Sequence, residues 1–536
     1  MNLARLVEGH PAAGRALFDS GRWQSWGEIR RRSAATASGL VALGIGPGDR
    51  VAIAWPTSAD FVVAYLAVLA AGCVAVPMNP NSPAAELSRE LEVVTPAALL
   101  AGGAAAEGAA AMGGAAGFPP LIVLPEAAPR PTNGGPGPAA AWESWETLSG
   151  AGTDAAGADP VGTNPGPAFP VVARDDADTA VLLFTSGTSG SPRAAVLTHG
   201  NLGANLEQML ALPGEIVRAD DVSLAAVPLF HVFGLNVALG LSLASGGALI
   251  LEERFDAAVS LRIVVEQGVT NLLGVPAMFA AWVALAEAET SGGTGGAGGV
   301  RGALAGVRRA VSGAAALPAG VAERFESAFG VPVWQGYGLT EAAPAVSTSL
   351  GTGRNRPGSV GEALPGVSIR LVDESGEDVL AGDPGEIWVR GPNVFAGYWR
   401  DPDGTAEALS EDGWLKKGDV GVFGEEGDLF IVDRSKDLVI VSGFNVYPAE
   451  VEKVVGAMAG VAEAVVVGRA DPETGEAVEV VIVLQAGASV TEAEVRAYCG
   501  SHLARYKCPT RVRFVDELPH GLAGKALRRA LREEPA

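Results

Sequence analysis

The sequence predicts an α/β protein. A large N-terminal domain, residues 1–433, is expected to hold mixed and parallel sheets covered by helices together with a β-rich subdomain, and residues 434–536 a small α+β C-terminal domain. Three observations carry this. Segments of helical apolar spacing alternate with short β-branched runs through the first half of the chain. After about Val367 the pattern becomes short strands with turns: "SIRLVDESGEDV", "GEIWVRG", "GDLFIVDR". Beyond Asp433–Asp437 helices and strands alternate again over a stretch of ordinary domain size.

Taken in order, Trp26–Leu43 has helical spacing, and "GIGPGDRVAIAW" supplies a turn and the strand Val51–Trp55. Phe61–Ala71 reads as a helix and "CVAVPMNP" as a strand stopped by prolines. Such alternation predicts parallel strands, because each helix returns the chain to the same end of the sheet. From about Ala101 to Pro170 the chain is mostly Ala, Gly and Pro, and reads as a surface excursion with a short helix around Trp142–Leu148. Ser291–Gly299, "SGGTGGAGG", reads as a loop; without a preceding strand or a following cation it is not a nucleotide loop. The last unit is expected to run helix Pro448–Met458, strands Glu463–Gly468 and Val478–Leu484, helix Thr491–Leu503 and strand Val512–Val515.

Composition narrows the function. With 48% hydrophobic and 18% charged residues the chain can bury a large core. A net charge of -23 argues against nucleic acid and anionic membrane surfaces as partners. Cys73, Cys499 and Cys508 form no CxxC pair, and the N-terminal MNLARLVEGH lacks an apolar signal core, so a cytoplasmic location is expected. Residues 61–85 and Val222–Leu251 carry no Asp, Glu, Lys or Arg. They are broken by Gly72 and Pro77, and by Pro228, His231 and Asn236, and read as buried helix plus strand rather than membrane spans.

One segment has the chemistry of an anion cradle. The apolar strand Val181–Phe184 leads into Thr185, Ser186, Gly187, Thr188, Ser189, Gly190, Ser191, Pro192 and Arg193. Glycines let backbone N–H groups converge on phosphate oxygens, hydroxyls add donors, and Arg193 adds a cation. No Walker loop can be written here. Further motifs follow: "PLFHVFGL" with His231, "SGAAA" (Ser312–Ala316), "WQGYGLTEAAP" with Tyr337, Thr340 and Glu341, "GWLKKGD" ending at Asp419, "DRSKD" with Arg434 and Lys436, "SGFNVYPAEVE" from Ser442, and "LARYKCP" leading to "GLAGKALRR" with Lys525.

In this order and spacing the motifs resemble the adenylate-forming superfamily of acyl-CoA synthetases, aryl-CoA ligases, luciferases and peptide-synthetase adenylation domains, over essentially the whole chain. The resemblance implies a two-step ligase. A carboxylate attacks the α-phosphate of ATP to give acyl-AMP and pyrophosphate, and a thiol, that of coenzyme A, then takes the acyl group. It also implies roles. Lys525 would bridge the carboxylate and the α-phosphate, a task suited to a mobile point charge. Glu341 would hold Mg²⁺, and Thr340 would bond the AMP phosphate. Thr185–Gly190, Arg193, Gly313, Ala314, Ala315, Gln335, Gly336, Tyr337, Gly338, Asp419 and Arg434 would bind nucleotide, with Tyr337 against adenine and Asp419 on the ribose hydroxyls. His231, Val232, Phe233, Gly313, Gly336 and Pro344 would line the acyl pocket, His231 at its mouth. Lys436 would be the hinge about which a mobile C-terminal domain turns between half-reactions. Ser442, Gly443 and Phe444 would line the coenzyme A tunnel.

Plain structural roles compete with several of these: a helix-capping acid for Glu341, a turn aspartate for Asp419, a core tyrosine for Tyr337. The cations Arg505, Lys507, Arg511 and Arg513 suit either coenzyme A phosphates or a solvated face. Gly313 and Gly336 suggest room for an extended acyl chain. Four departures stand out: Arg193 where the family most often has Lys, Ala194 where Gly is usual, Lys417 in place of Thr before Gly418–Asp419, and Ala523 in place of Thr before Gly524. Besides a fatty-acid–CoA ligase, the sequence leaves open an aryl-CoA ligase, an enzyme loading a carrier protein in trans, and a non-catalytic nucleotide-binding relative.

Overall fold

The computed structural model describes residues 1–112, 119–128, 141–150, 170–186, 192–292, 300–315, 317, 319–373, 375–434, 439–446, 448–485, 487–518 and 531. A seven-stranded sheet runs in the order Ala141–Ser144, Leu121–Leu124, Ala98–Ala101, Arg50–Ala54, Val74–Pro77, Thr179–Ser186, Pro192–Thr198. Its pairings are parallel except the last, where Thr179–Ser186 folds back antiparallel on Pro192–Thr198. A nine-stranded sheet is parallel through its middle, from Val333–Gly338 to Arg15–Asp19, and antiparallel at both edges. The helix Ala59–Ala70 is buried almost all round and joins residues of both sheets in one core. Ser58 starts that helix by accepting from the Phe61 N–H, as Ser25 does for Trp26–Ala42. The two uncharged stretches are thus buried helix and strand, and among the described residues no helix is long and apolar enough to cross a membrane.

The Ala-rich excursion contributes more than the sequence suggests. Ala104–Met112 is helical with Ala105, Ala106, Ala109 and Ala110 buried, while Leu121–Leu124 and Ala141–Ser144 extend the seven-stranded sheet. Four consecutive apolar residues suffice to join an edge that already exists. The helix expected around Trp142–Leu148 is a strand up to Ser144 and a helix only from Trp145, started by the Ser144 hydroxyl.

Ser368–Val372, Gly385–Arg390, Leu415–Phe423 and Leu429–Arg434 form an antiparallel four-stranded sheet. A further sheet begins at Val439, built on the long hairpin Val461–Asp471 and Gly475–Leu484, with Arg511–Phe514 parallel to the latter. The helices Pro448–Gly456 and Glu492–His502 cover it around an apolar cluster of its own, the second started by a Thr491–Glu494 capping box. This C-terminal body meets the helix Ala84–Val94 of the first: Arg89 donates to the His502 carbonyl at 3.1 Å and the Ala504 N–H donates to Glu86 at 2.7 Å.

Candidate active site

Glu341 lies just past the strand Val333–Gly338, in a single 3₁₀ turn, Thr340–Ala342. It does not cap that turn, whose N-cap position is held by Leu339, with no side-chain cap bond. Its carboxylate is buried instead, 3% exposed, and Oε1 accepts from the Tyr398 hydroxyl at 2.5 Å and from Lys417 Nζ at 2.8 Å. Lys417 also donates to the Tyr398 oxygen at 2.9 Å, closing a triangle. Burial raises the carboxyl's pKa, but the Lys417 charge and the two hydrogen bonds outweigh it and hold Glu341 below its usual range. Tyr398 reaches this point because Ala396–Trp399 pairs with the edge strand Pro192–Thr198. Neither Tyr398 nor the Lys417–Glu341 bond is expected from the sequence.

A cavity partly open to solvent lies against Thr340, the neighbour of Glu341. His231, Val232, Phe233 and Pro344 form one side of it. Gly313, Ala314, Gly336, Tyr337, Gly338 and Thr340 form another. The expected nucleotide and acyl residues are therefore brought together. The smallness of Gly313 and Gly336 is used differently from expectation. A Cβ on Gly313 would stand 2.8 Å from the Phe233 ring, and one on Gly336 3.0 Å from the Ser347 carbonyl oxygen. Both glycines admit neighbouring protein atoms, not only a longer acyl chain.

Tyr337 is 8% exposed and its hydroxyl donates to Asp419 Oδ2 at 2.6 Å. Asp419 is not in a turn: it lies within the strand Leu415–Phe423, directly opposite Arg434. Gln335 is buried, and its side-chain oxygen accepts from the Leu317 N–H at 3.1 Å, bracing the loop that carries Ala314 and Ala315. Ala315 is half-buried on that loop. Arg193 is tied to the helix Pro402–Ala408 region, 3.0 Å from Asp401 and 3.3 Å from Glu407, with its guanidinium over the Tyr398 ring. Thr185 and Ser186 end the strand before the cradle, and the Thr185 hydroxyl donates to the Arg193 carbonyl at 3.4 Å. Gly187, Thr188, Ser189, Gly190, Lys436 and Lys525 lie outside the described residues.

The C-terminal body reaches the cavity through one turn. Ser442 and Gly443 both adopt positive φ, 50° and 83°, and Gly443 borders the cavity. A Cβ there would stand 3.0 Å from Val275 and 3.4 Å from Ala314. Next to it Phe444 stacks on Tyr506, ring centroids 4.4 Å apart, and meets His231 edge-on at 6.3 Å. His231, Thr185 and Phe444 also line a second cavity, running towards the helix Ala84–Val94, so His231 stands where the two cavities meet. Burial lowers its pKa to about 4, and its Nδ1 accepts from the Phe233 N–H at 3.3 Å, so the ring is neutral at ordinary pH.

The basic tail is not a uniform face. Arg505 and Arg511 are exposed, but Lys507 is buried and bonded to Glu86 at 2.5 Å and Glu450 at 3.0 Å. Burial opposes its charge, yet Tyr506, Glu450 and Glu86 together hold its pKa well above the usual value. Lys507 thus joins the two bodies and is not presented to solvent. Arg513 is half-buried, 3.5 Å from Glu479.

Fold and site together define an enzyme that binds AMP and activates its substrate by adenylation. A family model described as AMP-binding enzyme matches residues 3–399, and the AMP-binding enzyme C-terminal domain matches residues 450–525. The chain belongs to this family, the adenylate-forming superfamily that includes the acyl-CoA synthetases. Its class is that of AMP-forming acid–thiol ligases. Among curated relatives, a long-chain-fatty-acid–CoA ligase of Yersinia pestis is 33% identical, with 97% of this chain and 91% of that protein aligned. A feruloyl-CoA synthase of Amycolatopsis sp is 35% identical, covering 96% and 95%. Among solved structures, the amide bond synthetase McbA from Marinactinospora thermotolerans superposes with a TM-score of 0.82 at 28% identity, covering 99% of each chain. A malonyl-CoA ligase ternary product complex with methylmalonyl-CoA and AMP gives 0.78 at 31%, covering 96% and 98%.

Proposed function

We propose that the protein joins an apolar carboxylic acid, first of all a fatty acid, to coenzyme A at the expense of ATP. The observation that carries this reading is Gly443 of the C-terminal body bordering the cavity lined by His231, Tyr337 and Thr340, with its neighbour Phe444 edge-on to His231. A thiol delivered along the second cavity would arrive beside His231, where the acyl carbonyl has to lie. The acid end is apolar: Val232, Phe233, Val237 and Leu350 line it.

In the first step a carboxylate oxygen bonds to the α-phosphorus and the bond to pyrophosphate breaks. Two anions meet, so positive charge must be held in line with them. Lys525 supplies it in this reading, and the cradle Thr185–Gly190 holds the phosphates. Tyr337 borders the adenine, Asp419 and Arg434 the ribose, and Thr340 the α-phosphate. In the second step the thiol sulfur bonds to the acyl carbon, the bond to AMP breaks, and the thiol proton passes to solvent. Lys436 is the hinge between the two arrangements in this reading, two positions past the strand Leu429–Arg434.

Magnesium fits this site on its donor chemistry. Glu341 offers a hard, ionised carboxylate beside the strand that leaves the cradle. No group of three or more metal-ligating side chains occurs among the described residues, so the remaining ligands would be phosphate oxygens and water. Bound there, the ion would offset phosphate charge. The free thiols of Cys73, Cys499 and Cys508 suit the cytoplasm.

Acid-dependent ATP–pyrophosphate exchange and coenzyme A-dependent release of AMP, measured over a panel of fatty and aromatic acids, test the reading. Lys525→Ala is expected to slow acyl-adenylate formation by roughly 100-fold or more while sparing thioester formation from supplied acyl-AMP. No acyl-adenylate from any acid would sink it. Exchange that ignores coenzyme A would move the acceptor to a carrier-protein thiol.

A further inference from the structure

Two of the positions where the sequence departs from its family flank one side chain. Arg193 lies over one region of the Tyr398 ring and is bound to Asp401 and Glu407, while Lys417 bonds the Tyr398 oxygen and Glu341. The cation that follows the cradle is thus engaged by two carboxylates of its own. Another cation, Lys417, stands 2.8 Å from one oxygen of the carboxylate that would help hold the metal. An ammonium and a divalent ion cannot share that oxygen at contact distance without strong repulsion in a buried setting.

We propose that Lys417 is a resident counter-cation of Glu341 which the nucleotide-borne magnesium has to displace, so that this chain demands more free metal than it would with a neutral residue at 417. The inference rests on the reading of Glu341 as the metal ligand. It follows from geometry: one buried carboxylate oxygen already accepts two hydrogen bonds, one of them from a full positive charge. Lys417 holds the Glu341 carboxylate in place while the nucleotide is away, and raises the metal concentration at which the site fills. It is a positioning residue, acting on the nucleotide through Glu341.

The test uses the full chain with Mn²⁺ as a paramagnetic substitute for Mg²⁺ and a non-hydrolysable ATP analogue. Protein-bound metal is followed by electron paramagnetic resonance as free metal is raised. Lys417→Thr and Lys417→Gln are expected to reach half-saturation at about tenfold lower free Mn²⁺ than the parent, and Lys417→Arg close to the parent. Gln keeps a donor for Tyr398, so the Gln and Arg pair carries the test if Thr disturbs folding. Half-saturation unchanged or raised in Lys417→Gln overturns the inference. Glu341→Gln separates the two ideas. If it loses bound metal while the Lys417 variants match the parent, the metal site stands and only the counter-cation role falls. If it binds metal as the parent does, the reading of Glu341 falls and takes the inference with it.

Discussion

Two lysine–glutamate sites with buried carboxylates behave in opposite ways in this molecule. At Glu341 one ammonium and one tyrosine hydroxyl serve one carboxylate within a single body, and that carboxyl is held below its usual range. At the helix Ala84–Val94, Lys507 of the C-terminal body faces Glu86, Glu90 and Glu450 at once. There burial and mutual repulsion win, raising Glu450 and moving Glu90 to about 8. Second oxygens of Glu90 and Glu450 are buried without a hydrogen-bond partner. Similar residue types thus give a charge-balanced site where the carboxylate must stay ionised, and an overcrowded acidic one where two bodies of the chain meet. The second is the weaker junction, because its surplus carboxylates exchange solvent for low dielectric without full pairing.

The sharpest way to break this comparison is to remove Lys507. Lys507→Met would leave Glu86, Glu90 and Glu450 facing each other, a loss of about 3–5 kcal/mol for a buried pair stripped of one partner. The expected outcome is a C-terminal body that no longer docks, seen as a larger radius in small-angle scattering and a separate low-temperature melting step. A single unchanged melting transition would show that the acidic cluster carries none of the docking. The balanced site should answer differently. Glu341→Gln is expected to lower kcat/KM by about 100-fold, near 2.7 kcal/mol, through the nucleotide step, with docking of the C-terminal body unaltered in scattering.

The contrast also shows what the sequence can and cannot disclose. Alternating periods disclose the helix-covered sheets and five elements of the C-terminal unit to within a few residues, because those signals are local; the three-residue strands Val439–Val441 and Phe444–Val446 are too short to carry such a signal. Within Ala101–Pro170 the described parts anchor more core than their small residues suggest, because Leu121–Leu124 needs only a neighbouring edge to pair with. Cavity residues such as Gly313, Tyr337 and Thr340 are legible because each lies at or just past the end of a strand of one sheet and the motifs travel together. What escaped were contacts across long separations. Tyr398 and Glu341 are 57 positions apart, and Lys507 and Glu86 421 apart. No spacing rule marks such a pair, so Lys507 reads as one more cation in a basic tail until the helix that buries it is in place.

The smallest expected effect is also the most specific to the crowded site. Glu90 is held protonated first by burial, then by Glu86 and Glu450, against the attraction of Lys507 and Arg89. Its folded pKa, about 8, lies above the ordinary 4.5; release of the C-terminal body into solvent is expected to return it towards that value, so docking takes up a proton. The sign follows. The favourable contribution is complete below about 4.5, declines as pH rises, and is gone once pH has passed about 8. Docking of the C-terminal body should therefore weaken from neutral to alkaline pH, and thioester formation from supplied acyl-AMP should fall with it. Glu90→Gln keeps the size and removes the proton exchange, so its docking curve, followed by scattering between pH 6 and 9, should be flatter than the parent's by roughly the effect of one titrating group. His231 cannot produce the same curve, because its pKa of about 4 confines its charging to acid solution. A parent curve already flat over that range, or a Glu90→Gln curve as steep as the parent's, would mean that Lys507 neutralises the cluster after all and that the two lysine sites are alike.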